Sequence, residues 1–137
     1  NRTQAKLRGG TIVLFSPPGV EDDWAPIVLH EYAHFLSAGQ SVARRQALAA
    51  EFARLCPAAL TLPNPLNALE EPLAIYWGQY RFEQAVRGKT LPPQSSWYVQ
   101  PHADRAAKAV AAAFPADQPA PALAVGPLLQ AAASVCE

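Results

Sequence analysis

The sequence predicts an α+β domain that is mostly helical, with a small sheet ahead of its first long helix. The segment "TIVLFS", Thr11 to Ser16, is apolar and β-branched and lies between two glycines and Pro-Pro-Gly, which is typical of a strand. Four or five later segments have helical apolar spacing, bounded by capping residues, glycines or prolines. We find no internal repeat, and 137 residues fit a single domain covering residues 1–137.

The first two helices are predicted from their boundary residues. "EDDWAPIVLHEYAHFLSA" is a helix that Asp22 or Asp23 can cap, with Pro26 tolerated in its first turn and Gly39 as its stop. "VARRQALAAEFARLC" is a second helix, capped by Ser41 and ended by the next proline.

The second half of the chain alternates between helices and proline-rich segments. A third helix is expected from Ala68 to Arg87, and Gly88 closes it. "HADRAAKAVAAAF" is a fourth, weaker helix. Residues 115–127 have the composition of a linker before a short terminal helix.

Composition excludes two function classes. Eleven basic and eleven acidic residues give no net charge, which is a poor match to nucleic-acid binding. No apolar stretch approaches the roughly 20 residues that span a bilayer.

The chain lacks methionine and a signal-like start, so we expect a processed mature form or a fragment. Cys56 and Cys136 either form a disulfide or stay as buried thiols, and they favour a periplasmic or secreted location over the cytoplasm.

The stretch "VLHEYAHFL" carries the strongest functional signal. Residues four apart share one face of a helix, so His30 and His34 can present two imidazoles to one ion. Zinc accepts such ligands and keeps a position for water in catalytic sites. Glu31 is placed beside such an ion, where a general base for water is needed. The alternative is an apolar helix whose two histidines are satisfied by other core groups.

"HEYAH" resembles the HExxH signature of the zincin metallopeptidases, a resemblance that covers roughly residues 11–80. The metzincin branch is excluded, because Ser37 and Gln40 stand where its glycine and third histidine belong. The gluzincin branch takes a glutamate from a later helix. "EPLAIY", beginning at Glu71, is similar to its E-G-x-A-x-Y phrase. The resemblance implies a compact zincin-like fold and zinc bound by His30, His34 and Glu71.

The neighbouring Glu70 is the rival for Glu71. Asn67 and Glu70 have the spacing of a capping box, which would occupy Glu70 and leave Glu71 free to face the metal. If the helix instead begins at Pro72, Glu71 becomes its cap and Glu70 becomes a serious rival for the zinc. Glu71 can also be an ordinary solvated carboxylate.

The resemblance also implies groups around the metal. His102 or Tyr98 would stabilise the oxyanion, with Asp104 orienting His102; the alternative for His102 is a surface histidine. The strand "TIVLFS" would hold an extended peptide by main-chain hydrogen bonds, unless it is an ordinary core strand. The function implied is zinc-dependent hydrolysis of a peptide or protein substrate. The alternative is a zinc-binding domain that binds peptides or proteins without hydrolysing them.

Overall fold

The computed structural model of the chain describes residues 3–21, 23–61, 63–119 and 125–136. Within these ranges the protein is α+β and mostly helical, with a two-stranded sheet ahead of the helices, as the sequence predicts. Residues 120–124 of the expected linker and the candidate cap Asp22 lie outside the described residues. No helix in the described ranges has both the length and the apolar content to cross a bilayer.

The sheet is a hairpin of two antiparallel strands, β1 (Gln4–Arg8) and β2 (Thr11–Phe15). Gly9 and Gly10 connect them with φ angles of 51° and 80°, which a two-residue hairpin turn requires and glycine adopts without strain. The sequence does not predict β1, because its residues are largely polar. The paired residues are Gln4–Phe15, Ala5–Leu14, Lys6–Val13, Leu7–Ile12 and Arg8–Thr11.

The helix that carries both histidines, α1 (Ala25–Ala38), starts without the predicted acidic cap. The residue before it makes no capping hydrogen bond. Asp23 instead accepts a hydrogen bond of 2.8 Å from Arg87, since the end of a later helix lies beside it. The other boundary features follow the prediction, with Pro26 in the first turn and Gly39 at the C-terminal cap.

The next helix, α2 (Val42–Leu55), follows the prediction at both ends. The hydroxyl oxygen of Ser41 accepts a hydrogen bond of 3.2 Å from the backbone N–H of Arg44, which is the N-cap geometry. A short 3₁₀ turn, Pro57–Thr61, follows α2.

The predicted third helix is present, but its middle is π-helical. The run consists of α3 (Asn67–Ala74), a π-helical segment (Ile75–Phe82) and α4 (Glu83–Arg87). Gly88 ends it with a φ of 65°, in the left-handed conformation expected of a closing glycine. Short π-helical insertions occur frequently at functional sites.

The π-helical segment contacts α1 backbone to backbone at Gly78. A Cβ atom on Gly78 would lie 2.6 Å from the backbone N and Cα of His30 and from the carbonyl oxygen of Leu29. Only glycine permits this approach. The contact therefore holds the first histidine of α1 directly against the later helix.

Two further helices, α5 (Pro101–Ala113) and α6 (Val125–Ala133), complete the core. A disulfide joins Cys56, at the end of α2, to Cys136, so the pairing that the sequence leaves open is present. The buried core cluster comprises Phe52, Cys56, Ala59, Leu66, Ala68, Leu69, Ile75, Tyr76, Trp97, Ala103, Ala107, Val110, Ala111, Leu128, Leu129 and Ala132.

Candidate metal centre

Two histidines of α1 direct the same ring atom to one point. His30 is buried and His34 is half-buried, one helical turn further along. Their Nε2 atoms are 3.1 Å apart, and their rings meet edge to face with centroids 4.9 Å apart. The spacing of four residues therefore brings the two imidazoles together on one face of the helix, as the sequence predicts.

Glu71 of α3 brings its carboxylate to the same point. Its Oε1 atom lies 3.2 Å from Nε2 of His34, and its Oε2 atom lies 3.5 Å from Nε2 of His30. One ligand atom from each of the three side chains lies within 4.8 Å of the others, an arrangement that could hold a metal ion. We call His30, His34 and Glu71 the ligand cluster.

Part of the ligand cluster has the spacing expected around a small tetrahedral ion. Zinc binds imidazole nitrogen and carboxylate oxygen at about 2.0–2.2 Å, so two ligands of a tetrahedron lie about 3.3–3.6 Å apart. The separation of 3.1 Å between the two histidine Nε2 atoms and that of 3.2 Å from His34 to Oε1 of Glu71 are close to this edge length, whereas the 3.5 Å contact of His30 is to the other carboxylate oxygen, Oε2. In addition, Oε2 of Glu71 is buried and has no hydrogen-bond partner among the described residues. A cation would satisfy this oxygen.

The electrostatics of the cluster also favour a cation. The imidazoles of His30 and His34, together with a hydrogen bond from Tyr98, lower the pKa of Glu71 despite its burial. Burial alone would lower the pKa of His34. The adjacent carboxylate of Glu71 and the charges of Glu31 and Glu70 outweigh burial and raise it. The site therefore has an excess of negative charge that positive charge stabilises.

Gln79 contacts the ring nitrogen of His30 that faces away from the cluster. Its amide Nε2 atom lies 3.3 Å from Nδ1 of His30. An imidazole that binds a metal through Nε2 carries its proton on Nδ1 and donates it to a neighbouring acceptor. A half-turn of the Gln79 amide would present its carbonyl oxygen as that acceptor. The sequence prediction missed Gln79; the signal was Gly78 before it, a glycine inside a helical pattern.

Tyr98 covers the other side of His30. The two rings are stacked, with centroids 5.5 Å apart and planes 11° from parallel. The backbone N–H of Tyr98 donates a hydrogen bond of 3.0 Å to Oδ1 of Asp104. Asp104 thereby fixes the loop that carries Tyr98 to the first turn of α5.

The predicted role of Asp104 in orienting His102 is wrong. The Asp104 carboxylate accepts hydrogen bonds from the backbone N–H groups of Trp97 (2.6 Å) and Tyr98, and pairs with Lys108 at 2.6 Å. Burial would raise the pKa of Asp104, but Lys108 and the two backbone donors together lower it. Asp104 is therefore a structural anchor of the loop.

The capping box predicted for Glu70 is also wrong. Asn67 is already inside α3, and the residue before it makes no side-chain cap. The Oε1 atom of Glu70 accepts a hydrogen bond of 2.8 Å from Ser37 and lies 3.4 Å from a guanidinium nitrogen of Arg45. Glu70 thus connects α3 to α1 and α2, and Glu71 faces the histidines.

Two cavities border the ligand cluster. The strand-side cavity, of about 520 Å³, is lined by His30, Glu31, Tyr98 and the first residues of β1. The helix-side cavity, of about 600 Å³, is lined by His34, Glu71 and His102 among others. The predicted base Glu31 and both candidate oxyanion donors therefore line cavities that also include members of the cluster.

The strand beside the cluster is β1, which the sequence does not predict. Gln4 and Ala5 line the strand-side cavity, and the described lining residues include none from β2. The structure therefore does not place "TIVLFS" in the position expected of a substrate-binding strand. Its neighbour in the hairpin, β1, lines the cavity instead.

Comparison with known proteins gives no relative for this chain: no family model, no curated protein and no solved structure matches it. Any functional conclusion consequently depends on the residues and geometry described above.

Proposed function

We propose that this protein is a zinc-dependent peptidase of the gluzincin type, with a compact zincin-like fold. The observation that supports this most directly is the convergence of His30, His34 and Glu71, whose ligand atoms lie within 4.8 Å of one another. Two imidazoles and one carboxylate are a known donor set of catalytic zinc, which leaves a fourth position open.

Bound zinc would supply Lewis-acid polarisation of a carbonyl group and of water. The protein's part is to hold the three ligand atoms and to limit access to them. His30 is held by Gln79 on one side and by the stacked ring of Tyr98 on the other. These contacts fix the ring before any ligand binds.

Glu31 acts as the general base. It follows His30 on α1 and lines the strand-side cavity with it. Its carboxylate would take a proton from the attacking water and pass it to the departing amine, which needs a group within hydrogen-bond reach of both.

Tyr98 and His102 are the candidate donors to the oxyanion. Tyr98 lines the strand-side cavity beside His30, and His102 lines the helix-side cavity beside His34. Either side chain can donate a hydrogen bond to negative charge that develops on a carbonyl oxygen. Their positions in different cavities make the two roles separable by mutation.

The test is the substitution Glu31→Gln, which keeps the size of the side chain but removes the base. We expect zinc binding to be unchanged and peptide hydrolysis to fall by about 10²–10⁴-fold. Glu21→Gln, in an exposed carboxylate outside both cavities, is the matched control and should retain full activity. Cleavage of a peptide library, read by mass spectrometry, provides the measurement.

Two results would contradict the proposal. If Glu31→Gln cleaves as fast as the wild type, Glu31 is not the base. If zinc-loaded wild type cleaves no peptide or protein, the protein binds zinc without hydrolysis, and the binding-domain alternative is correct.

A further inference from the structure

We propose that the site binds an extended peptide that crosses the ligand cluster and continues on both sides of it, so that cleavage occurs at internal peptide bonds. This inference rests on the proposed function, because it names the substrate class of the same site. It distinguishes an endopeptidase from an enzyme that removes terminal residues.

The first support is the position of the two cavities along α1. His30 and Glu31 line the strand-side cavity, and His34, one turn later, lines the helix-side cavity. Since the Nε2 atoms of the two histidines are only 3.1 Å apart, both cavities border the position of the metal. Open space therefore adjoins the point where chemistry would occur at His30 and also at His34.

The second support is that neighbouring parts of one chain segment line the two cavities. Residues 96–99 line the strand-side cavity, and Gln100, His102 and Ala103 line the helix-side cavity. An uninterrupted segment of chain thus leads from one cavity to the other. In the proposed binding mode the two cavities are the halves of one groove.

The third support is the charge of the groove. A site that selects a chain terminus needs a charged partner for it, because a desolvated charge without a partner is costly. Neither cavity has a lysine or arginine among its described lining residues, so those residues offer no permanent cation for a terminal carboxylate.

The acidic side chains of the groove do not offer a free partner for a terminal amine either. Glu71 belongs to the ligand cluster and Glu31 is the proposed base. Glu70 accepts a hydrogen bond from Ser37 and its charge is balanced by Arg45. The groove is suited to uncharged main chain, whose ends lie beyond it.

The volume of each cavity is also compatible with several residues of an extended peptide. Each half, at about 520 and 600 Å³, lies within the roughly 300–1,000 Å³ that encloses a drug-sized ligand. A ligand of that size is comparable to a short peptide, so neither half is restricted to one terminal residue.

The experiment measures binding separately from hydrolysis, using zinc-loaded protein with the Glu31→Gln substitution. The probe is a pool of peptides of about ten residues, which span about 33 Å when extended, with randomised central positions. One pool has both ends blocked by acetyl and amide groups, and the other has free ends. We expect equal capture of both pools, within about twofold, because the ends lie outside the groove.

Two cavity-filling variants test each half of the groove. Ala58 is exposed and lines the helix-side cavity, and Val99 is 67% exposed and lines the strand-side cavity, so a tryptophan at either position fills space without entering the core. Ala58→Trp and Val99→Trp should each weaken binding of the blocked peptides by at least about tenfold. Leu60→Trp is the matched control: Leu60 is 64% exposed and lies outside both linings, so binding should not change.

Three results would overturn the inference: capture that requires a free end, loss of binding in only one of the two cavity-filling variants, or no capture of either pool. Failure of the proposed function has a different outcome. In that case the blocked peptides bind and depend on both halves, but the wild type leaves them intact. That result would retain the two-sided groove and reject hydrolysis.

Discussion

His30 has a hydrogen-bond partner for the ring nitrogen that faces away from the ligand cluster. Gln79 lies 3.3 Å from that nitrogen, and Tyr98 stacks on the ring. Groups that contact the second nitrogen of a histidine ligand fix its tautomer and its orientation. Gln79 is therefore expected to act on metal affinity without touching the metal.

We predict that Gln79→Leu lowers zinc affinity by about 10–100-fold, because the Nδ1 proton of His30 loses its acceptor. Gln79→Glu, which also offers an acceptor oxygen, should restore most of the affinity. Competition with a chromophoric chelator measures it. Gln46→Leu, on the exposed face of α2, is the control. Equal affinity in Gln79→Leu and the wild type would show that Gln79 does not position His30.

The sequence arguments for the two histidines are correct, whereas one of the two arguments for Glu71 is wrong. The positions of His30 and His34 follow from helical geometry alone. Glu71 follows from its resemblance to a family phrase, whereas the capping-box argument is wrong because Glu70 pairs with Ser37 and Arg45. Those partners are 33 and 25 residues away in sequence, so no local pattern could reveal them.

Among the secondary-structure elements, the contact between α1 and the π-helical segment positions the site. At Gly78 the two backbones approach so closely that even a methyl group has no room. This contact places Gln79 beside His30 and holds α1 against the helical run that carries Glu71. A change at Gly78 should therefore affect both stability and the site.

We predict that Gly78→Ala destabilises the protein by about 1–3 kcal/mol or more, because the added methyl group meets backbone atoms that cannot move aside. It should also weaken zinc binding through displacement of His30. Gly39→Ala is the matched control, since the added group would make only ordinary contacts, at 3.5 Å and 3.6 Å, and alanine adopts the φ of −72° without strain. Thermal melts and zinc titrations of both variants test this. Unchanged stability in Gly78→Ala would contradict the close contact.

Among the structural features, the ends of several helices are predicted best from the sequence. Gly39, Ser41 and Gly88 all end or begin a helix where their chemistry requires. The π-helical segment was not predicted, because a shift in backbone hydrogen bonding leaves no periodic signature in eight residues. The strand β1 was not predicted either, since polar residues suffice where only one face of a strand is partly covered.

In the molecule as a whole, the disulfide connects the end of α2 to the last described part of the chain. Cys56 and Cys136 are separated by 80 positions, and Cys56 also lines the helix-side cavity. A crosslink over such a loop restricts the unfolded chain strongly. The bond should therefore stabilise the whole fold and preserve the shape of the helix-side cavity.

We predict that replacing both cysteines by serine lowers the free energy of unfolding by about 4–5 kcal/mol, the chain-entropy value for a loop of this length. Urea unfolding of the oxidised wild type and the double variant measures the difference. Reductant should lower the wild-type midpoint and leave the variant unaffected. Equal midpoints for wild type and variant would show that the crosslink does not support the fold.

The ligand cluster joins α1 to α3, and Tyr98 of the loop before α5 stacks on it, so its occupancy tests the overall proposal. The measurement is the zinc content and zinc-edge X-ray absorption of purified wild type, with Glu71→Gln and the matched variant Glu70→Gln. We predict one zinc per chain, bound by two imidazoles and oxygen at about 2.0–2.2 Å, in the wild type and in Glu70→Gln. Glu71→Gln should lose most of its affinity. A zinc-saturated wild type without bound metal, or a Glu71→Gln variant that binds as tightly as the wild type, would contradict the proposed metal centre.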